Sequence, residues 1–245
     1  MSNFWLIEAT RTAVLFLAAF FLGLWVLRGG IRVNYTRKIL HFLLFFVPLT
    51  LAAYLPYPGN YATVVLSGLV FLASILALSE PLRSRSRFLA TVFAAFDRPE
   101  DRPYTLLWLT TQIFATYVVL IAMLVWLQQY DKVPLIYITV LVAGIGDGLA
   151  EPIGVRFGRH TYRTRALFTD RTYTRSLEGS ACVLMSAVLA IFLMRSQLEG
   201  TQFFLALLVI PAAMTLAEAW SPHTWDGPFL YLAGGASTVA VLDWA

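Results

Sequence analysis

The stretch AGIGDGLAEPIGVRFGRH, Ala143 to His160, sets Asp147 and Glu151 at the end of a run of about a dozen apolar or small residues, and arginines follow them. On a helix these two carboxylates lie four residues apart, hence on one face. Gly154 and Gly158 repeat that spacing, so a neighbouring backbone or a phosphate can approach closely there. From the spacing alone two readings are open. One is a helix end with solvated acids and a glycine packing seam. The other is a site for a hard divalent cation such as Mg²⁺, which takes one or two carboxylates plus phosphate oxygens.

The chain around this stretch is 59% hydrophobic and only 13% charged, with mean hydropathy +0.71; a soluble domain carries about 25% charged residues. That composition belongs to an integral membrane protein. Apolar blocks recur at 12–27, 39–55, 60–79, 104–127, 133–146, 179–194, 201–217 and 228–242. Several approach the ~20 residues a helix needs to cross the hydrocarbon core, and 133–146 and 228–242 are the shorter ones. The fold class expected is an all-α, polytopic transmembrane helical bundle of eight helices, with seven or nine as the alternatives. The block 87–96, RFLATVFAAF, is too short to span and is expected along the interface. No repeat or linker interrupts the chain, so residues 1–245 read as one domain. The first block has no basic segment before it and no small-residue cleavage pattern after it, and reads as a retained anchor. The single Cys182 lies in an apolar segment and reads as a packing residue.

Under eight helices, Arg28, Arg32, Arg37 and Lys38 fall in the first loop. Arg83, Arg85, Arg87, Arg98 and Arg102 fall in the third, and six arginines from Arg156 to Arg175 in the fifth. Fifteen of the eighteen Lys and Arg therefore share one side. Short basic loops stay cytoplasmic, which places the odd loops inside and both termini outside. Asp147, Glu151, Glu178, Glu218 and Asp226 lie on or near the same face. Ionisable groups near the membrane core are costly and mark polar cavities, so the active site is expected at the cytoplasmic interface. For a bacterial source this is the inner membrane. Glu80 and Arg83 read as a helix-end cluster, and DRPEDRPY, residues 97–104, as a solvated turn.

The segment TRSLEGS, Thr174 to Ser180, ends where the next apolar helix begins. A helix start at Gly179 and Ser180 offers backbone N–H groups to an anion, and the loop arginines add charge-assisted donors. Carboxylates, an arginine loop and a helix start together suit a metal–nucleoside triphosphate. No GxxxxGK[ST] loop is present.

The run GDGLAEPIGVRFGRH followed by RSLEGS resembles the signature of the CTP-dependent polyprenol kinases, the membrane family of dolichol, phytol and farnesol kinases. Asp147, Ala150, Gly154 and Gly158 match its Asp-x-x-Ala-x-x-x-Gly-x-x-x-Gly pattern. Arg175, Ser176, Glu178, Gly179 and Ser180 match its Lys-Thr/Ser-x-Glu-Gly-Ser pattern, with arginine where lysine is usual. RKILH, Arg37 to His41, is similar to the family's Arg-Lys-x-x-His. AEAWSPHTWDGPF, Ala217 to Phe229, is similar to its late Glu…Asp-Asn segment through Glu218 and Asp226, although Gly227 replaces the asparagine.

The resemblance implies transfer of the γ-phosphate of CTP to an isoprenoid lipid alcohol within the membrane, with no nucleic-acid partner. Mg²⁺ is expected on Asp147, with Glu151 or Asp226 near it. Arg156, Arg159 and Arg175 are expected on phosphate oxygens, with Gly154, Gly158, Ser176, Gly179 and Ser180 around them. Glu178 is placed to orient the arginines. Asp147, His41 and Lys38 form the expected catalytic group, Asp147 or His41 taking the hydroxyl proton. Two alternatives use similar residues. A phosphatidate cytidylyltransferase would transfer CMP to a lipid phosphate, but its late His-Gly-Gly…Asp-Arg-x-Asp pattern is missing. A transporter of an anionic lipid or solute would carry an inverted repeat, and none is visible.

Overall fold

The computed structural model describes residues 1–57 and 59–244. Its contacts gather into two compact units, Met1–Phe114 and Ala115–Ala245. The first contains α1 (Ser2–Leu27), α2 (Val33–Tyr54), α3 (Tyr61–Leu76), the short α4 (Glu80–Arg83), α5 (Arg87–Ala94) and the opening turns of α6 (Thr105–Gln128). α2, α3 and α5 all pack on α1. Ala19, Leu40, Leu78, Val92 and Phe93 form its core, with Phe16 and Phe20 against them. Gly23 lets α1 lie directly on the Thr91 carbonyl, and any Cβ there would collide with it. α3 begins with a reciprocal cap: the Thr63 N–H donates to Asn60 Oδ1 (3.0 Å) and the Asn60 N–H to Thr63 Oγ1 (3.1 Å).

Two expectations for this unit are corrected. α1 starts at Ser2 rather than near residue 12, so it includes Glu8 and Arg11, which are only 3% and 4% exposed. They are ion-paired one turn apart. Arg11 Nη1 also donates to Ser67 Oγ (2.9 Å), and Ser67 Oγ donates to Glu8 Oε1 (3.0 Å). Mutual neutralisation plus a hydroxyl from α3 lets an apolar helix carry two charges. The supposed solvated turn 97–104 is also partly interior, with Asp101 1% and Arg98 5% exposed. Asp101 Oδ2 accepts from Arg98 Nε (2.8 Å) and Arg37 Nη1 (3.0 Å). These charge-assisted bonds replace the water that the reading assumed.

The second unit holds the rest of α6, then α7 (Ile136–Leu141), a π-helical segment (Val142–Asp147) and α8 (Gly148–Phe157). An antiparallel hairpin follows, β1 (Thr161–Arg165) with β2 (Thr172–Ser176), Thr161 opposite Ser176. α9 (Leu177–Leu193), α10 (Gly200–Trp220) and α11 (Asp226–Trp244) complete it. α9 packs on α8, on the π-helical segment and on α10, and α11 lies on α10 and α7. The core is aliphatic: Ile138, Val142, Val183, Ile191, Ile210, Met214 and Leu230 are essentially inaccessible.

Among the described residues, five helical segments are long and apolar enough to cross a membrane: Ser2–Leu27, Val33–Tyr54, Thr105–Gln128, Val133–Phe157 and Gly200–Trp220. Tyr61–Leu76 and Leu177–Leu193 are shorter apolar helices. Together with α11 these match the eight blocks expected from hydropathy, and the protein is an all-α membrane helical bundle. The hairpin within the arginine loop is the departure, and α5 forms where the short interfacial block was expected.

Candidate functional site

Asp147 closes the π-helical segment, a widened turn often found at functional positions. Gly144, Gly146 and Gly148 lower the side-chain crowding of such a turn, and Pro152 leaves the Gly148 carbonyl without its usual i+4 backbone donor. Gly146 also sets the depth of the packing, since a Cβ there would lie 2.9 Å from Val183 Cα on α9. Asp147 is partly exposed, and Glu151 follows one turn later on α8, also partly exposed.

The hairpin delivers Arg175 and Ser176 to the start of α9. Ser176 is the cap of that helix: its Oγ accepts from the Gly179 N–H at 3.1 Å. α9 therefore starts at Leu177, ahead of the expected Gly179–Ser180 start, and the Gly179 donor is already satisfied by protein. The space above the glycines is likewise filled. A Cβ on Gly154 would stand 2.9 Å from Ser176 Oγ, one on Gly158 2.8 Å from Ser176 Cβ, and one on Gly179 2.7 Å from the Ala150 carbonyl. In this structure Gly154, Gly158 and Gly179 serve close approach of α8, the hairpin and α9 rather than open space for a phosphate.

Arg175 is the centre of the polar cluster. Its Nη1 donates to Glu218 Oε1 (3.0 Å), to the Glu218 carbonyl and to Ser221 Oγ (3.2 Å), and its Nη2 donates to Asp226. Glu218, from the last turn of α10, is 5% exposed. Its Oε2 accepts from Ser180 Oγ at 2.9 Å, and Ser180 is joined to the Tyr162 hydroxyl at 2.7 Å. Ser221 Oγ lies 2.8 Å from the Glu218 carbonyl and 2.7 Å from Asp226 Oδ1, its single proton shared between the two acceptors. Burial disfavours the Arg175 charge, but Asp226 and Glu218 more than offset it and raise its pKa further. Burial also raises the Tyr162 pKa. The Asp147 charge lies within electrostatic reach of Glu218.

The structure thus unites Asp147, Arg175, Ser176, Ser180, Glu218 and Asp226. Glu178 accepts from the His160 backbone N–H (3.3 Å) and sits 3.0 Å from His160 Nδ1. Arg156 and Arg159 are exposed beside the cluster's α8 side, as are Arg163, Arg165 and Arg171 on the hairpin. The hairpin is held by Tyr173, which stacks on His223 with centroids 3.5 Å apart, and by the His223 N–H donating to the Arg165 carbonyl (2.8 Å). Arg37, Lys38 and His41 belong to α2 in the first unit. Arg37 pairs with Asp101 there, Lys38 is half-buried, and the His41 ring tilts against Phe45 at 4.9 Å.

For a cation, the donor set is hard and anionic. Asp147 and Glu151 are partly exposed one turn apart, and such a carboxylate pair could hold one Mg²⁺; Asp226 pairs with Arg175 and bonds to Ser221. Among the described residues no three His, Cys, Asp or Glu side chains form a ready-made metal cage. Tyr162 and Ser221 escaped the sequence reading. The signal for Tyr162 was the alternation of TYRTR and TYTRS, two five-residue runs rich in β-favouring Thr and Tyr. Searches for similarity add nothing to this geometry: no family model, no curated protein and no solved structure matches the chain.

Proposed function

We propose that this protein is a membrane-embedded kinase that transfers the γ-phosphate of CTP to the hydroxyl of an isoprenoid lipid alcohol, with its nucleotide site on the cytoplasmic face. One observation carries the reading: Asp147 on a π-helical turn, Arg175 on a hairpin, and Glu218 and Asp226 at the ends of two helices converge from distant sequence positions on one largely buried polar cluster. Phosphoryl transfer asks for positioning and charge rather than covalent help.

In this reading the exposed Arg156 and Arg159 grip phosphate oxygens in bidentate fashion, and Arg175 joins them by exchanging a carboxylate for a phosphate. Mg²⁺ on Asp147 and Glu151 would neutralise charge developing on the transferred group. Asp147 takes the acceptor's hydroxyl proton. Glu218 and Asp226 keep Arg175 oriented when no nucleotide is bound. The choice of cytidine rests on the sequence resemblance alone.

The test uses purified protein, Mg²⁺, a panel of lipid alcohols and phosphatidate, and CTP labelled either in the γ-phosphate or in the cytosine ring. γ-label in the lipid with CDP released supports the kinase. Ring label in the lipid with pyrophosphate released replaces it with the cytidylyltransferase reading. Flux of an anionic solute into vesicles without CTP consumption replaces it with the transporter. Asp147→Asn is expected to fall below about a tenth of wild-type turnover while remaining folded and membrane-inserted, because the amide keeps the volume and loses the charge.

A further inference from the structure

The first unit contains a pocket of about 570 Å³ that the proposed reaction does not use. Its floor is formed by Val26 and Leu27 at the end of α1 and Val33 at the start of α2, two helices long and apolar enough to span a membrane. The pocket therefore opens where those apolar helices end. Ala90, Phe93 and Ala94 of α5 form one wall, and Arg83, Arg87 and Arg102 stand over the apolar floor together with Glu80 and Asp97.

The two carboxylates are already committed. Glu80 pairs with Arg83, and Asp97 accepts from Arg102 Nε (2.8 Å) and from Thr105 Oγ1 (2.8 Å). Arg87 is exposed, and its guanidinium has no hydrogen bond or ion pair among the described residues. The Arg83 guanidinium carbon is over the Phe93 ring, 3.8 Å from its centroid, and Arg83 Nη1 is buried without an acceptor. A buried N–H without a partner is costly, and an anionic oxygen entering the pocket removes the cost. An uncompensated arginine, an unsatisfied guanidinium N–H and an apolar floor at the end of two spanning helices call for a ligand with a charged head and a greasy tail.

We propose that this pocket binds the phosphate headgroup of an anionic membrane lipid, with Arg87 and Arg83 on the phosphate oxygens and Val26, Leu27 and Val33 against the first methylenes of its chains. The pocket lies wholly within the first unit, and this site is independent of the catalytic reading. Arginine suits it because the planar fork meets phosphate oxygens two at a time.

The experiment measures retention of radiolabelled dioleoyl phosphatidic acid by the purified full-length protein in detergent, with dioleoyl phosphatidylcholine and inorganic phosphate as competitors at equal concentration. Wild-type protein is expected to retain phosphatidic acid against both competitors. Arg87→Gln, an exposed position that leaves the fold intact, is expected to weaken retention about tenfold, the effect of losing a charge-assisted contact. Arg87→Lys is expected to restore only part of it, because the charge returns without the planar fork. Wild-type retention by Arg87→Gln, or no retention by the wild type, overturns the proposal. Displacement by inorganic phosphate reassigns the pocket to a free anion, and displacement by phosphatidylcholine reduces it to an unselective lipid groove; either result also overturns it.

Discussion

Both units bury ionised side chains, and they do so in opposite ways. In the first, Glu8 and Arg11 are three residues apart on one helix and are completed by a hydroxyl from α3. One positive charge meets one negative charge, so the group is balanced, although Arg11 Nε is buried without an acceptor. In the second, Arg175 reaches 43 residues along the chain to Glu218 and 51 to Asp226, so two carboxylates face one guanidinium, with the charge of Asp147 in reach. This group is open: its negative charge exceeds its positive charge, and Asp226 and Asp147 retain partial access to solvent. A balanced local pair asks only for burial. An unbalanced long-range cluster with excess carboxylate charge attracts a cation, which the balanced pair does not.

That contrast can be broken by removing the centre of each group. The largest effect is expected from Arg175→Ala, which strips the cation from the buried Glu218 and from Asp226 and should destabilise the protein by about 3–5 kcal/mol. Arg175→Lys should recover most of the loss, since it keeps the charge. Thermal unfolding in detergent reads both, and an unchanged melting temperature for the alanine variant would show that the cluster carries no uncompensated carboxylate. Arg11→Met is expected to cost less, about 2–3 kcal/mol, because Ser67 still donates to Glu8. The double variant Glu8→Leu/Arg11→Met should return close to wild-type stability, as buried pairs replaced by apolar residues commonly do. A comparable rescue of Arg175→Met by Glu218→Leu with turnover retained would erase the distinction between the two groups.

Smaller effects sharpen the comparison. Gly158→Ala places a methyl against Ser176 Cβ and the Gly154 carbonyl and should cost about 1–3 kcal/mol by overpacking. Adding Ser176→Gly should relieve part of that cost, and a tolerated Gly158→Ala would show that the seam of α8 and the hairpin is loose. Glu178→Gln should leave the melting temperature within experimental error. Its partner His160 is 73% exposed, and solvent screens such a pair.

The parts of the candidate site that were legible from the sequence are those where one residue type suffices. Asp147 and Glu151 stood out because carboxylates at the end of an apolar run are costly, and Arg175 because it precedes a helix start. Pairing was not legible. The registers of TYRTR and TYTRS give Arg175 its direction, yet their threonines and tyrosines sit inside an arginine-rich run that reads as a loop, so their strand signal is masked and the bond of Tyr162 to Ser180 is not legible. Glu8 and Arg11 were missed because hydropathy averages over a window. Two opposite charges one turn apart lower that average as much as two solvated ones, although folding neutralises them.

The sequence by itself determined where the helices run. In a bilayer every backbone N–H and C=O must be satisfied internally, which favours a helix over a long apolar block, and among the described residues each of the eight blocks lies in a helical segment. The tertiary structure alone decided what the polar residues between and within them do. It gave Gly154 and Gly158 to packing against Ser176, took Asp101 out of water to meet Arg98 and Arg37, and placed Arg175 between Glu218 and Asp226. Apolar length is a property of a continuous segment and survives any arrangement of its neighbours, whereas a charge or a glycine is defined by the atoms brought against it from elsewhere in the chain.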